Sequence, residues 1–160
     1  MLNAESRTRD HAWIAAHIPH AGRMCLLDQV LAWDADGVLC SAASHRLPDH
    51  PLRQFGRLGA ACGVEYAAQA MAVHGALLAG ADAGRITRPG MLVGVRGVTL
   101  HAARLDDVAE PLLVRAQRLG ASDDMLLYGF SVSAGDRLLL DGRASVLLAR
   151  APDLSTAPHR

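Results

Sequence analysis

The chain has 160 residues, 51% of them hydrophobic, with 16 basic and 16 acidic side chains and a formal net charge of zero. That length and composition predict one domain with a real core, and the balanced charge excludes a global field drawing the protein onto nucleic acid or an anionic membrane. All 16 basic residues are arginine, which excludes Schiff-base lysine chemistry and a phosphate loop with its lysine.

Cys25, Cys40 and Cys62 are widely spaced and form no C-x-x-C pair. They predict neither a disulfide framework nor a zinc site, and a reducing cytoplasm fits them best. The opening "MLNAESRTRDHAW" lacks a signal-peptide core, and no later run supplies the roughly 18 uninterrupted apolar residues of a membrane span, so a cytoplasmic protein is expected. Residues 1–9 and 151–160 are expected to be flexible ends around a domain at 10–150.

The segment "RDHAWIAAHI" places Trp13, Ile14 and Ile18 at near-helical spacing until Pro19 stops it, predicting a short helix. "RMCLLDQVLAWD", the turn "DADG" and "VLCSAAS" then predict a hairpin. "HRLPDHPLRQFGRLG" breaks periodicity with two prolines and two glycines and predicts a loop. A long helix follows from Leu58 to Ala79, with Gly80 as its stop, and "GADAGRITRPG" predicts a second loop. From Met91 onward, "MLVGVRGVTLH", "PLLVRAQRLGAS", "MLLYGFSVSAG" and "RLLLDGRASVLLAR" predict a strand meander. Without a βαβ alternation, the order predicts an α+β domain with an antiparallel sheet packed on the long helix.

That helix, "GVEYAAQAMAVHGALLAG", is apolar on more than one face, the mark of a buried helix. Its small residues let a sheet approach closely, and a sheet curved around one central helix leaves the helix carboxylate facing a cleft or a dimer seam. Glu65 is costly in such a setting unless paired or partly wet, which makes it a candidate acid or base. Gln69 lies one turn on and shares its face, where an amide can orient a substrate. His45 and His50, in the loop before the helix, are candidate partners for proton transfer near neutral pH. Gly56, Gly59 and Gly63 surround the helix start, where free N–H groups and the helix dipole can hold an oxygen that gains negative charge.

The order "HIPHAGRMCLLDQV", hairpin, loop histidine, "GVEYAAQAMAVHG" and strands resembles the 3-hydroxyacyl-carrier-protein dehydratases of bacterial fatty-acid synthesis over about residues 10–150. The resemblance is closer still to the divergent hot-dog dehydratases of aryl-polyene-type pigment clusters, through "GVEYAAQAMAVHGAL". It implies a hot-dog fold, an antiparallel sheet wrapped around one long central helix. It also implies dehydration of a 3-hydroxyacyl thioester to the trans-2-enoyl thioester, on acyl carrier protein or coenzyme A, with no metal or redox cofactor. Glu65 would be the catalytic carboxylate, His50 its partner, Gly59 a contact for the thioester oxygen, and Gln69 and His45 substrate contacts. His20 falls in the family's Pro-His segment, usually structural.

The chain departs from the family at the His-Phe-Pro-Gly motif, which here reads "HPLRQFG". His50 precedes Glu65 by 15 residues, one more than the family spacing, so a one-residue insertion keeps His50 in the role; otherwise His45, or no histidine, fills it. That erosion supports an alternative, a non-catalytic acyl-binding subunit of a heterodimeric hot-dog dehydratase, and a hot-dog acyl thioesterase is a third reading. The exposed edges of a single curved sheet predict a homodimer, or a heterodimer with another hot-dog protein.

Overall fold

The computed structural model describes residues 9–80 and 88–149. The expected flexible ends lie outside that range, apart from Arg9, and so does most of the loop after Gly80. Helix α1 spans His11–His17, and the Asp10 carboxylate caps it by accepting from Trp13 N–H at 2.9 Å. Strands β1 (Gln29–Trp33) and β2 (Gly37–Ala42) form the expected hairpin. Asp34 closes its turn by accepting from the Asp36 and Gly37 backbone N–H groups.

The long helix α2 runs Gly63–Leu78. It starts later than the sequence periodicity suggests, because Leu58 is drawn into an extended link and Ala60–Cys62 form one 3-10 turn. Gly63 lets Leu140 pack close against the helix start, since a Cβ there would stand 2.5 Å from Leu140 Cδ2 and the leucine side chain would have to shift. At the other end Gly80 adopts φ 77°, and its N–H bonds the Leu77 carbonyl. That left-handed stop suits a residue without a Cβ.

Strands β3 (Gly90–Leu100), β4 (Leu112–Ala121), β5 (Met125–Ala134) and β6 (Arg137–Leu148) complete one antiparallel sheet in the order β1-β2-β4-β5-β6-β3. The α+β expectation holds. The simple meander does not: β4, β5 and β6 follow one another, but β3 pairs with β6 at the far edge. Residues 103–105, just beyond β3, are bonded to Leu58 and Ala60 at the start of α2, and this link leads the chain past β6 and β5 to its place beside β2. Helix α2 packs on β2, β4 and β5 through Tyr66, Ala67, Ala70, Val73 and Leu77, which are buried with Leu26, Val114, Tyr128 and Leu140. Among the described residues no helix is long and apolar enough to cross a membrane.

Three histidines belong to this interior. His45 and His74 are fully buried and His50 nearly so. Burial lowers the pKa of each below the ordinary histidine value of 6.5. The unfolded chain therefore binds more protons than the folded one as pH falls below about 6.5, and stability rises with pH across that window. The urea midpoint should drop between pH 7.5 and pH 5.5, above the range in which carboxylates titrate. An unchanged midpoint would contradict neutral burial of these rings.

Candidate functional site

The polar residues of α2 fall on two sides. Glu65, Ala68, Ala72 and Gly75 recur at helical spacing along its less buried side and line a cleft of about 320 Å³. Met71 and Ala76 from α2, Met91 and Leu92 from β3, Leu126 and Tyr128 from β5, and Val146 and Leu148 from β6 supply apolar walls. His20 and Glu65 are the polar pair there, half-exposed, with His20 Nε2 3.1 Å from Glu65 Oε1.

Gln69 sets this geometry. Its fully buried amide oxygen accepts from Leu26 N–H at 2.8 Å, while its Nε2 donates to Met24 O at 2.6 Å and to Glu65 Oε1 at 3.2 Å. One side chain thus pins the segment after Pro19 onto α2 and orients the carboxylate. Glu65 Oε1 receives two donors, and Oε2 has no partner among the described residues. The His20 hydrogen bond, more than the one from Gln69, pulls the Glu65 pKa down against the opposing effect of burial. The carboxylate is ionised, with one oxygen free. His20 Nδ1 is buried without a partner among the described residues.

His50 stands elsewhere. It lines a second cleft, of about 380 Å³, together with Cys25, Asp28 and Ser44. Its Nδ1 accepts from Leu52 N–H at 3.1 Å, so Nε2 carries the proton and donates to Tyr66 OH at 3.0 Å. Tyr66 in turn donates to Ser44 Oγ, and Ser44 donates to Leu26 O, both at 2.7–2.8 Å. Every donor in the chain is used, and neither ring nitrogen of His50 is left to take a proton. Burial first, then the Arg53 and His45 charges, keep the ring neutral.

The remaining candidates are separate again. His45 donates through Nε2 to Val108 O at 2.9 Å in the core. Gly59 bridges to Arg104 and lines neither cleft. The structure therefore brings Glu65 and Gln69 together and adds His20, from the Pro-His segment that the family resemblance marks as structural. No signal in the sequence reveals that neighbour, because it comes from a buried amide reaching 43 residues back to Leu26.

Residues 12–157 match the profile of the ApeP-like family, described as ApeP dehydratase. The chain belongs to the ApeP-like dehydratase family. Among solved structures it is similar to the dehydratase heterocomplex ApeI:P from Xenorhabdus doucetiae, at 22% identity over 89% of this chain and 94% of that one, with a TM-score of 0.75. It is also similar to zebra fish thioesterase superfamily member 2, at 17% identity over 87% and 95% of the two chains with a TM-score of 0.60. S. sahachiroi AziG matches at 13% identity over 78% and 92%, TM-score 0.59. These likenesses establish the hot-dog fold, and a comparison with curated proteins gives no match. The family match supports a function of dehydratase type.

Gln69→Leu should cost about 1–3 kcal/mol in urea unfolding, because Leu26 N–H and Met24 C=O lose their buried partner while the volume barely changes. A loss near zero would mean that the segment carrying His20 is held by packing alone.

Proposed function

We propose that this chain dehydrates a 3-hydroxyacyl thioester, presented by acyl carrier protein or coenzyme A, to the trans-2-enoyl thioester. The reading is carried by the Glu65–His20 pair at the polar end of an apolar cleft. Dehydration needs a base for the C2 proton and an acid for the departing C3 hydroxyl. Glu65 Oε2, ionised and without a partner among the described residues, takes the C2 proton; the C3–O bond breaks, and the Glu65–His20 pair returns one proton to the leaving oxygen. The products are the enoyl thioester and water, and no proton is gained or lost by the protein. The apolar walls supplied by α2, β3, β5 and β6 hold the acyl chain.

His50 enters this reading as a structural residue, because both its nitrogens are engaged within its own chain. The same observation favours a second reading, in which the chain is an acyl-binding subunit and a hot-dog partner performs the chemistry. Its likeness to a subunit of a heterocomplex supports a hot-dog partner in either case. Purified chain, alone and with a candidate partner, assayed on a 3-hydroxyacyl carrier protein separates the two readings. Turnover by the chain alone supports the first, and turnover that needs the partner and survives loss of Glu65 supports the second.

Glu65→Gln keeps shape and volume and should lower kcat/KM by about 100-fold or more with an unchanged melting temperature. Near-normal turnover would remove Glu65 from the chemistry.

A pH profile tests His20 separately. Activity that needs ionised Glu65 falls as pH drops through its pKa, and His20 is the largest cause holding that pKa down. In His20→Asn the acidic limb of kcat/KM should therefore move to higher pH. A limb that stays in place would show that His20 does not set the ionisation of Glu65.

A further inference from the structure

Gly75 stands in the interior of α2, half-buried, and its carbonyl accepts from Ala79 N–H at 3.1 Å. Glycine weakens a helix interior relative to alanine, so its presence there calls for a reason in the backbone or in the packing. Among the described residues neither reason applies. Gly75 does not have the positive φ of Gly80, and a Cβ added to it would meet no described atom within 4 Å, whereas one at Gly63 would run into Leu140. The space that a side chain at position 75 would take belongs to the Glu65 cleft, which Gly75 lines.

That cleft has a polar end and an apolar end. Glu65 and His20 meet at the first turn of α2. Gly75 lies ten residues further along the helix, a distance of about 15 Å at about 1.5 Å per residue. The adjacent His74 is tied to Tyr128 of β5 by a hydrogen bond of 2.7 Å, and Leu126 of β5, Val146 of β6 and Leu92 of β3 lie side by side across the three strands. The apolar walls therefore gather round the Gly75 end. Arg88 stands at the same rim, but its guanidinium is occupied by Ala149 O, Asp123 O and Asp124 Oδ1.

We propose that the far end of the cleft receives the methyl end of the substrate's acyl chain, and that Gly75 sets the chain length this protein prefers. The proposal rests on the reading in which Glu65 takes the C2 proton. With C2 held there, either the thioester arm or the hydrocarbon tail runs along α2. The arm of acyl carrier protein or coenzyme A carries amides that would lose their hydrogen bonds between apolar walls, while the tail gains by leaving water. An extended chain advances about 1.2 Å per bond, so the span from Glu65 to Gly75 takes about twelve bonds, and the preferred substrate is a 3-hydroxyacyl thioester of about twelve to fourteen carbons. A larger side chain at position 75 would fill the place of the last methylenes, and glycine keeps the cleft long.

The test is calorimetric binding of 3-hydroxyacyl-pantetheines, from about four to about sixteen carbons, to the intact chain, which needs no turnover. Wild-type affinity should climb by up to about fourfold with each added methylene and level off at about twelve to fourteen carbons. In Gly75→Leu the plateau should come about three or four carbons earlier, with the Kd of the shortest ligand unchanged and the Kd at about fourteen carbons raised about tenfold or more. Gly75→Ala should melt higher than the wild type, because alanine favours the helix and its Cβ has room. Absent binding, an affinity that does not rise with chain length, a plateau that stays in place in Gly75→Leu, or a loss shared equally by short and long ligands would overturn the proposal, as would a Gly75→Ala protein that melts lower. Failure of the dehydration reading shows separately, as normal turnover in Glu65→Gln, so the two failures are told apart.

Discussion

The buried amide of Gln69 is the interaction on which the rest of the site depends. An amide taken out of water must have its donors and acceptor satisfied, and here the partners are Met24 O, Leu26 N–H and Glu65 Oε1. Two of these belong to the chain after Pro19 and the third to the same helix. Satisfying one side chain therefore fixes the approach of the N-terminal segment to α2 and the orientation of the carboxylate together. The His20–Glu65 contact follows from that clamp.

The histidines show how donor and acceptor accounting separates structure from chemistry. His50 and His74 each accept at Nδ1 and donate at Nε2 within the chain, and Tyr128 OH, the donor to His74, has its pKa pushed up by burial to about 12. Such rings are closed circuits, neutral and without a lone pair to offer. His20 differs because one nitrogen is engaged by a carboxylate at the edge of a cleft and the other has no partner among the described residues. Two clefts that both contain a histidine thus have different chemical capacities: the cleft with His50 has a saturated ring, and the cleft with Glu65 has a free carboxylate oxygen.

A second lock holds the loop that bears the eroded motif. Asp106 accepts from Leu58 N–H and pairs with the Arg104 guanidinium, contacts that hold its carboxyl well below the usual range. His50, through Tyr66 and Ser44, ties the start of the same loop to α2 and to Leu26. The loop is fastened at both ends, which leaves the Phe55 turn as its projecting part.

Local pattern determined the elements, because hydrophobic period, proline stops and glycine turns act within a few residues. The hairpin at 29–42, the helix around Glu65 and Gln69, its Gly80 stop and the four later strands were all legible in that way. The hot-dog fold and the dehydratase family were legible from the order of "HIPHAGRMCLLDQV" and "GVEYAAQAMAVHG". Tertiary structure decided what depends on distant backbone. It placed β3 beside β6 rather than β4, set His20 instead of His50 against Glu65, and buried the Gln69 amide as a clamp on Met24 and Leu26. Sequence spacing shows that Glu65 and Gln69 share a helical face, but which histidine meets them is set by hydrogen bonds across 43 residues, and no local period encodes a contact of that range.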